Sequence, residues 1–320
     1  MSALLLWWSL KGVSLADVAG HLRRADPWPI VLGVVLATLP FPLRVIRWKL
    51  LLRASDGGTL PAAPLWHAVA MGFMANNVLP FRAGEFVRCW VATRLTGCRF
   101  TASVSSVAVE RVFDGITLVL LMALALLMPG FPAGATIAGL PIATVATRAG
   151  IVSGLALAAA LGVVLWPLRA ERLIRVMVPL PKVADRLVQL VEGVRHGLSV
   201  LASPSRLAGV VAWSMVIWLT NAAAFYVSFA AFGIHVNFAG AMLLQSIVAF
   251  GIAVPSTPGY VGVFEAGIKA SLALYGVPGD QAFSYAVAYH FATFIPIVIF
   301  GAWSMAATGL GLRDVRGVRG

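Results

Sequence analysis

Residues 76–88 read Asn-Asn-Val-Leu-Pro-Phe-Arg-Ala-Gly-Glu-Phe-Val-Arg, and residues 255–265 read Pro-Ser-Thr-Pro-Gly-Tyr-Val-Gly-Val-Phe-Glu. Each breaks, with proline and glycine, a stretch that is otherwise apolar and helical in pattern. Proline removes a backbone donor and glycine frees the chain to turn, so each stretch reads as two shorter helices rather than one. The first break also brings Arg82, Glu85 and Arg88 into an apolar setting, at the three-residue spacing that shares one helical face.

The surroundings of these breaks are membrane-like. Hydrophobic residues make up 60% of the chain and charged residues only 11%, where a soluble domain carries about 25%. The mean hydropathy is +0.91. A hydrocarbon core needs roughly 20 apolar residues per helix. The apolar runs are continuous and not alternating, which favours helices over a barrel. Full spans are expected at 29–52, 103–128, 150–168, 207–232 and 281–310. The net charge of +12 would suggest nucleic acid in a soluble protein. Here the basic residues gather in loops, as membrane topology demands, and no nucleic-acid partner is expected.

Those charges also orient the chain. The basic segments 44–53, 82–99, 169–206 and 313–319 belong on the cytoplasmic side, with Arg44, Arg47, Lys49 and Arg53 read as an interfacial anchor. Loops 129–148, 233–238 and 276–281 are nearly uncharged and belong outside. Both sets hold only if 63–100 enters and leaves from the cytoplasmic face and 238–275 from the outer face. The expected fold is therefore all-α: a polytopic helical membrane bundle with two oppositely oriented re-entrant hairpins, an inverted repeat. Interrupted segments at matching positions of two halves point to a transport site at the bilayer midplane. The competing reading is two ordinary Pro-kinked helices. The whole of 1–320 reads as one domain: a short first helix and outer linker (1–28), a first half (29–168), a cytoplasmic amphipathic connector (169–206) and a second half (207–320).

Charge inside lipid must face protein or water. For Arg82, Glu85 and Arg88 this leaves a lipid-phosphate site of forked arginine contacts, an internal ion-pair lattice, or shallow cytoplasmic anchoring. Glu110 and Asp114 lie four apart on the next span, with Arg111 beside them. Two acids together in lipid need cations, with Arg82, Arg88 and Arg111 the candidates; the alternative is a protonatable relay. At the second break Thr257 suits a helix N-cap and Pro258 the first helical position. Gly259 and Gly262 permit close approach, and a bare helix start would favour an anionic group. Glu265 and Lys269 suit a local pair. Asn221, Gln245 and His290 read as packing hydrogen bonds. His and Cys spacing gives no metal or redox motif, and Cys89 and Cys98 read as reduced thiols. No G-x-x-x-x-G-K-[ST] loop is present, so neither ATP nor any cofactor is expected.

The N-x2-LP-x-R-x-GE pattern from Asn76 to Glu85, the E-R-x-x-D of Glu110 to Asp114, the P-x-TPG-x-x-G-x-x-E element from Pro255 to Glu265 and the Arg47-Trp48 pair together resemble the lysylphosphatidylglycerol synthase transmembrane-region family. The resemblance implies a flippase-like domain moving lipid between leaflets of a bacterial cytoplasmic membrane. It marks Asn76, Asn77, Arg82, Glu85, Glu110, Arg111, Asp114, Thr257, Pro258, Gly259 and Glu265 as motif residues. The best-known members carry a soluble aminoacyl-transferase domain as well. A stand-alone member is expected here, so no synthase reaction is carried over. Stand-alone relatives occur beside lipid and hopanoid biosynthesis genes, which implies lipid-synthesis enzymes as partners. The family usually opens with a further helix, of which residues 4–10 resemble the last turns. Rival expectations are a membrane transferase using a lipid-linked donor and an accessory subunit of a lipid-synthesis complex.

Overall fold

A computed structural model describes residues 13–54, 57–79, 82–131, 203–253 and 257–311 without interruption. It also describes residues 8, 10, 134, 136, 137, 140, 141, 144, 147, 148, 151, 155, 167–178, 180, 181, 184, 185 and 188. The span expected at 150–168, and most of the connector at 169–206, lie outside these residues. The described chain is mainly helical, with an antiparallel two-residue ladder, β1 (Thr136–Ile137) against β2 (Leu140–Pro141), set in the stretch read as a loop, and an isolated antiparallel bridge between Arg53 and Thr59.

The helices, in chain order, are α1 (Leu15–Arg24), α2 (Pro27–Thr38), α3 (Pro40–Leu51), α4 (Ala62–Val78), α5 (Gly84–Thr96), α6 (Phe100–Leu127), α7 (Pro167–Met177), α8 (Pro204–Phe229), α9 (Phe238–Ala253), α10 (Val263–Ala273) and α11 (Gly279–Thr308). Among the described residues, three stretches are long and apolar enough to cross a membrane: Pro27–Leu51, Pro204–Phe232 and Gly279–Thr308. Helix α6 would extend about 42 Å by its helical rise, but it carries Glu110, Arg111 and Asp114. On α11, Phe291, Ile295, Ile299 and Trp303 follow one another at four-residue spacing, and each is more than half exposed. Such a stripe is a liability in water and the ordinary surface of a helix in lipid.

Two sequence expectations change here. The span at 29–52 is two helices, because Pro40 has no N–H to give the Leu36 carbonyl; the Leu39 N–H takes that carbonyl instead, at 3.3 Å. The outer linker contains a true helix, α1. Ser14 caps it by accepting the Asp17 N–H at 3.3 Å, and His21 ties it to Asp280 of α11 at 3.1 Å.

Both interrupted segments are pairs of helices packed along each other, α4 with α5 and α9 with α10. Close packing of α4 on α5 depends on Gly84. A Cβ there would collide with the Gly72 carbonyl and the Asn76 side chain. Small residues let helix backbones approach in this way. The Asn76 Oδ1 accepts the Gly84 N–H at 2.9 Å, so the last turn of α4 caps the first turn of α5 across the break. The second break holds a 3₁₀ turn, Pro258–Tyr260, in which Gly259 has φ +66°. That turn lies against the end of α4, and α11 packs on both α4 and α10. The two breaks therefore meet: Arg82 Nη1 donates to the Ile252 carbonyl of α9 at 3.3 Å.

Candidate functional site

Where the breaks meet there is a cavity of about 650 Å³. Helices α2, α3, α4, α5, α6, α8, α9, α10 and α11 all contribute to its wall, with Tyr260 from the 3₁₀ turn. Its charged face comes from Arg44, Arg82, Glu85, Arg111 and Asp114. Its neutral polar face comes from Asn76, Asn77, Asn221, Gln245, His290 and Thr293. Trp218, Phe225, Phe264 and Tyr289 supply rings. Ala253, exposed, stands at the rim. Arg82 and Tyr260, the two non-glycine residues with positive φ among the described residues, both belong to this wall (φ 53° and 59°). Strained backbone of this kind concentrates at functional sites.

Behind the charged face lies a buried ion lattice. Glu110 is fully buried and receives a forked contact from Arg88, both nitrogens at 2.9 Å. Arg111 reaches the same carboxylate at 2.8 Å, Arg47 at 3.0 Å and Arg44 at 3.4 Å. Asp114 accepts from Arg47 at 2.6 Å and Trp218 at 2.9 Å, and it meets Arg111 at 3.1 Å and Arg44 at 3.5 Å. Arg47 also donates to Ser214 at 2.8 Å. Glu85 is shared between Arg82 at 3.4 Å and Arg111 at 3.7 Å. The Arg88 guanidinium lies 3.8 Å over the Trp48 ring, whose Nε1 is held by Ser106 at 2.8 Å. Aromatic faces of this kind stabilise a desolvated cation.

Five guanidinium groups thus face three carboxylates, an excess of two positive charges, with Arg44, Arg47, Arg88, Glu110 and Asp114 buried and Arg82, Glu85 and Arg111 part-exposed. Arg44 and Arg111 line the cavity, and their Nε atoms, buried behind that wall, have no acceptor among the described residues. A buried donor without a partner costs about 1–3 kcal/mol, more when charged. The arrangement favours an anion in the cavity.

The expected anchor residues Arg44 and Arg47 are buried, 5% and 0% exposed, and form the cationic core of the lattice. The reason is visible in the sequence: the apolar run continues past them through Val45, Ile46 and Trp48. They therefore sit within a helix and not at its wet end. The structure brings Arg88 and Arg111 to Glu110 as anticipated, but Arg82 pairs with Glu85. Arg88 faces Glu110 and Trp48 and does not line the cavity. Asn77 lines it, and Asn76 lines it while capping α5.

At the second break the expected helix start at 257–259 is not an α-helix. Thr257 occupies the capping position, with Pro258 next. Its hydroxyl makes no cap bond and donates to the Val261 carbonyl at 2.9 Å. Gly259 in the left-handed region stops the turn, and the α-helix begins at Val263. Its first N–H groups are not bare: Glu265 accepts the Gly262 N–H at 2.6 Å. The other Glu265 oxygen lies 2.6 Å from His290 Nδ1, so this carboxylate turns to α11 where a local pair with Lys269 was expected. His290 stacks on Phe264 with centroids 4.3 Å apart. Cys89 and Cys98 are free and buried. No cluster of metal-ligating side chains occurs among the described residues.

Fold and site together define a polytopic α-helical membrane protein with an arginine-lined polar cavity between two interrupted helix pairs. The chain belongs to the family described as lysylphosphatidylglycerol synthase TM region, whose pattern matches residues 1–301. A protein named glycosyltransferase AglD from Haloferax volcanii is 27% identical over 326 residues, covering 93% of this chain and 51% of that protein. The chain thus spans about half the length of that relative. A UPF0104 membrane protein from Methanothermobacter thermautotrophicus is 22% identical over 316 residues, covering 94% of this chain and 88% of that protein.

Proposed function

We propose that the protein moves a lipid with an anionic headgroup between membrane leaflets through this cavity. The observation that carries the reading is an ion lattice with two more guanidinium groups than carboxylates, three of whose arginines line a cavity where two interrupted helix pairs meet. In this reading α4–α5 and α9–α10 are re-entrant hairpins entering from opposite faces, as an inverted repeat, and their breaks lie near the bilayer centre. A charge at that depth costs about 2.5–3.5 kcal/mol even on an insertion scale. A lipid phosphate that neutralises it recovers part of that cost. Arg82 is the headgroup contact: it lines the cavity, is part-exposed, and among the described residues is held by Glu85 and the Ile252 carbonyl, both beyond 3.2 Å. Arg44 and Arg111 line the cavity beside it. The fixed lattice of Arg47, Arg88, Glu110 and Asp114 holds α3, α5 and α6 in register behind them. Acyl chains stay in the surrounding lipid, and the movement is passive or coupled to an ion gradient. The membrane is the cytoplasmic membrane of a bacterium, with the basic loops inside.

The name of the archaeal relative favours one second reading, a membrane transferase acting on a lipid-linked donor, with Glu265 and His290 as the acid–base pair. Reconstitution separates the two. Purified protein in vesicles should equalise an acyl-labelled anionic lipid between leaflets and leave its mass unchanged. A new product by mass spectrometry, from lipid or lipid-linked donor, would replace the translocase with the transferase. Neither movement nor product would leave an accessory role in a lipid-synthesis complex.

A further inference from the structure

The Glu265–His290 pair takes no part in the ion lattice, and it joins α10 to α11 at the cavity. His290 lines the cavity; Glu265 is not on that wall and is 4% exposed. Among the described residues His290, at 2.6 Å, is the one ion-pair partner of Glu265. A carboxylate only accepts, so the neutral imidazole carries its hydrogen on Nδ1 and keeps a lone pair on Nε2. That Nε2 makes no bond among the described residues. A buried carboxylate facing a neutral ring is costly, and one proton on the ring balances it.

The neighbours leave this pair to titrate by itself. On the wall, Glu85 and Asp114 each meet at least two guanidinium groups, and arginine keeps its proton in proteins. The nearby phenols, Tyr260, Tyr285 and Tyr289, belong to a class that titrates at about pH 10. Helix α2, packed on α11, and helix α9, packed on α10, carry no titratable side chain. On α10, Lys269 lies over the Trp8 ring at 5.7 Å. Helix α4 brings His67 to Trp303, thirteen residues along α11 from His290, or about 20 Å. Helix α1 carries Asp17, His21, Arg23 and Arg24, and His21 meets Asp280, ten residues or about 15 Å from His290. Histidine is the side chain whose ordinary charge change falls near neutral pH.

We infer, building on the translocase reading, that Glu265 and His290 form a proton site that couples lipid movement to a proton gradient, one proton travelling with each monoanionic lipid. A proton from water in the cavity binds the Nε2 lone pair and makes an N–H bond; no other bond forms or breaks. The pair passes from net charge −1 to zero, and the wall gains one positive charge and one donor. Proton and anion therefore each raise the affinity for the other. When the lipid leaves into the other leaflet, the proton returns from Nε2 to the water on that side. Lipid and proton together are neutral, so membrane voltage does not drive the step.

The test uses vesicles containing the full chain and acyl-labelled phosphatidylglycerol, beside protein-free vesicles, with valinomycin and equal potassium holding the voltage at zero. Under a gradient of one pH unit, wild type should gather the label in the leaflet on the alkaline side, approaching a ratio of roughly tenfold. Either orientation of the protein gives that end point. A potassium diffusion voltage at equal pH should shift nothing. His290→Asn, which keeps a donor toward Glu265 and cannot titrate, should share the label evenly at any gradient; His290→Gln is the second variant. The wild-type ratio decides the coupling whether or not the variants fold. Even sharing by wild type under the pH gradient, or a shift with voltage at equal pH, would overturn the inference and leave the translocase standing. A folded His290→Asn or His290→Gln protein that kept the tenfold ratio would overturn the assignment of the site. No protein-dependent movement of the label in wild type would overturn the translocase reading and this inference with it.

Discussion

Glu110→Gln removes one negative charge from the centre of the lattice and almost no volume. In the native protein this carboxylate meets Arg44, Arg47, Arg88 and Arg111, all within 3.4 Å, and is fully buried. The substitution raises the excess of positive charge from two to three. Its amide nitrogen also becomes a donor facing donors. Breaking a buried pair by removing one partner costs about 3–5 kcal/mol, most of it the charge left behind. Arg88→Met alone also breaks the fork, leaving a carboxylate with Arg47 and Arg111 still in reach, so its cost is at the lower end of that range. The double variant removes both charges together and should recover about 2–3 kcal/mol relative to the sum of the singles. Equilibrium unfolding in mixed detergent micelles, on all four proteins of the cycle, measures this coupling. Additivity to within about 0.5 kcal/mol would refute the account of the lattice as a coupled unit.

Arg82→Ala should abolish transport of an anionic lipid while insertion and thermal stability stay near wild type, because its pair with Glu85 is long and part-exposed. Flux assays on reconstituted protein, beside a folding check, measure both. Gly84→Val should lower stability by roughly 2–3 kcal/mol, as overpacking against the Gly72 carbonyl and Asn76 demands, and unfolding in detergent reads it. Glu265→Gln should weaken α10 by about 1 kcal/mol through loss of its charged cap. Faster amide hydrogen exchange confined to the first turn of α10 would show it.

Much of this organisation can be read before any coordinates, and the residues show why. Glu110 and Asp114 stand out because charge in an apolar helix has to be paired, and Pro and Gly at both breaks mark where helices end. The partners are harder to read. Arg44 and Arg47 lie near a basic loop, so topology accounts for them as readily as burial does, and only the packing of α3 on α6 and α8 distinguishes the two. The Thr257-Pro258 signature satisfies every local rule for a helix start. It yields one 3₁₀ turn because Gly259 takes the left-handed region, beside Asn77 and Phe294. Glu265 has Lys269 one turn away but spends its oxygens on Gly262 and on His290. Local spacing names candidate pairs; long-range packing decides which of them form. Gln245 illustrates the same limit, since an amide in an apolar helix reads as a packing bond, yet it has no hydrogen-bond partner among the described residues.

The central claim is that both breaks lie deep in the bilayer around an anion-seeking cavity. Single cysteines at Leu79 and Thr257, in a chain with Cys89 and Cys98 replaced by alanine, can carry a fluorophore whose depth is read with lipids bearing quenchers at fixed positions. The account predicts that both labels are quenched most strongly by quenchers near the ends of the acyl chains. Strongest quenching of either label at the headgroups, or by quenchers confined to water, would contradict it.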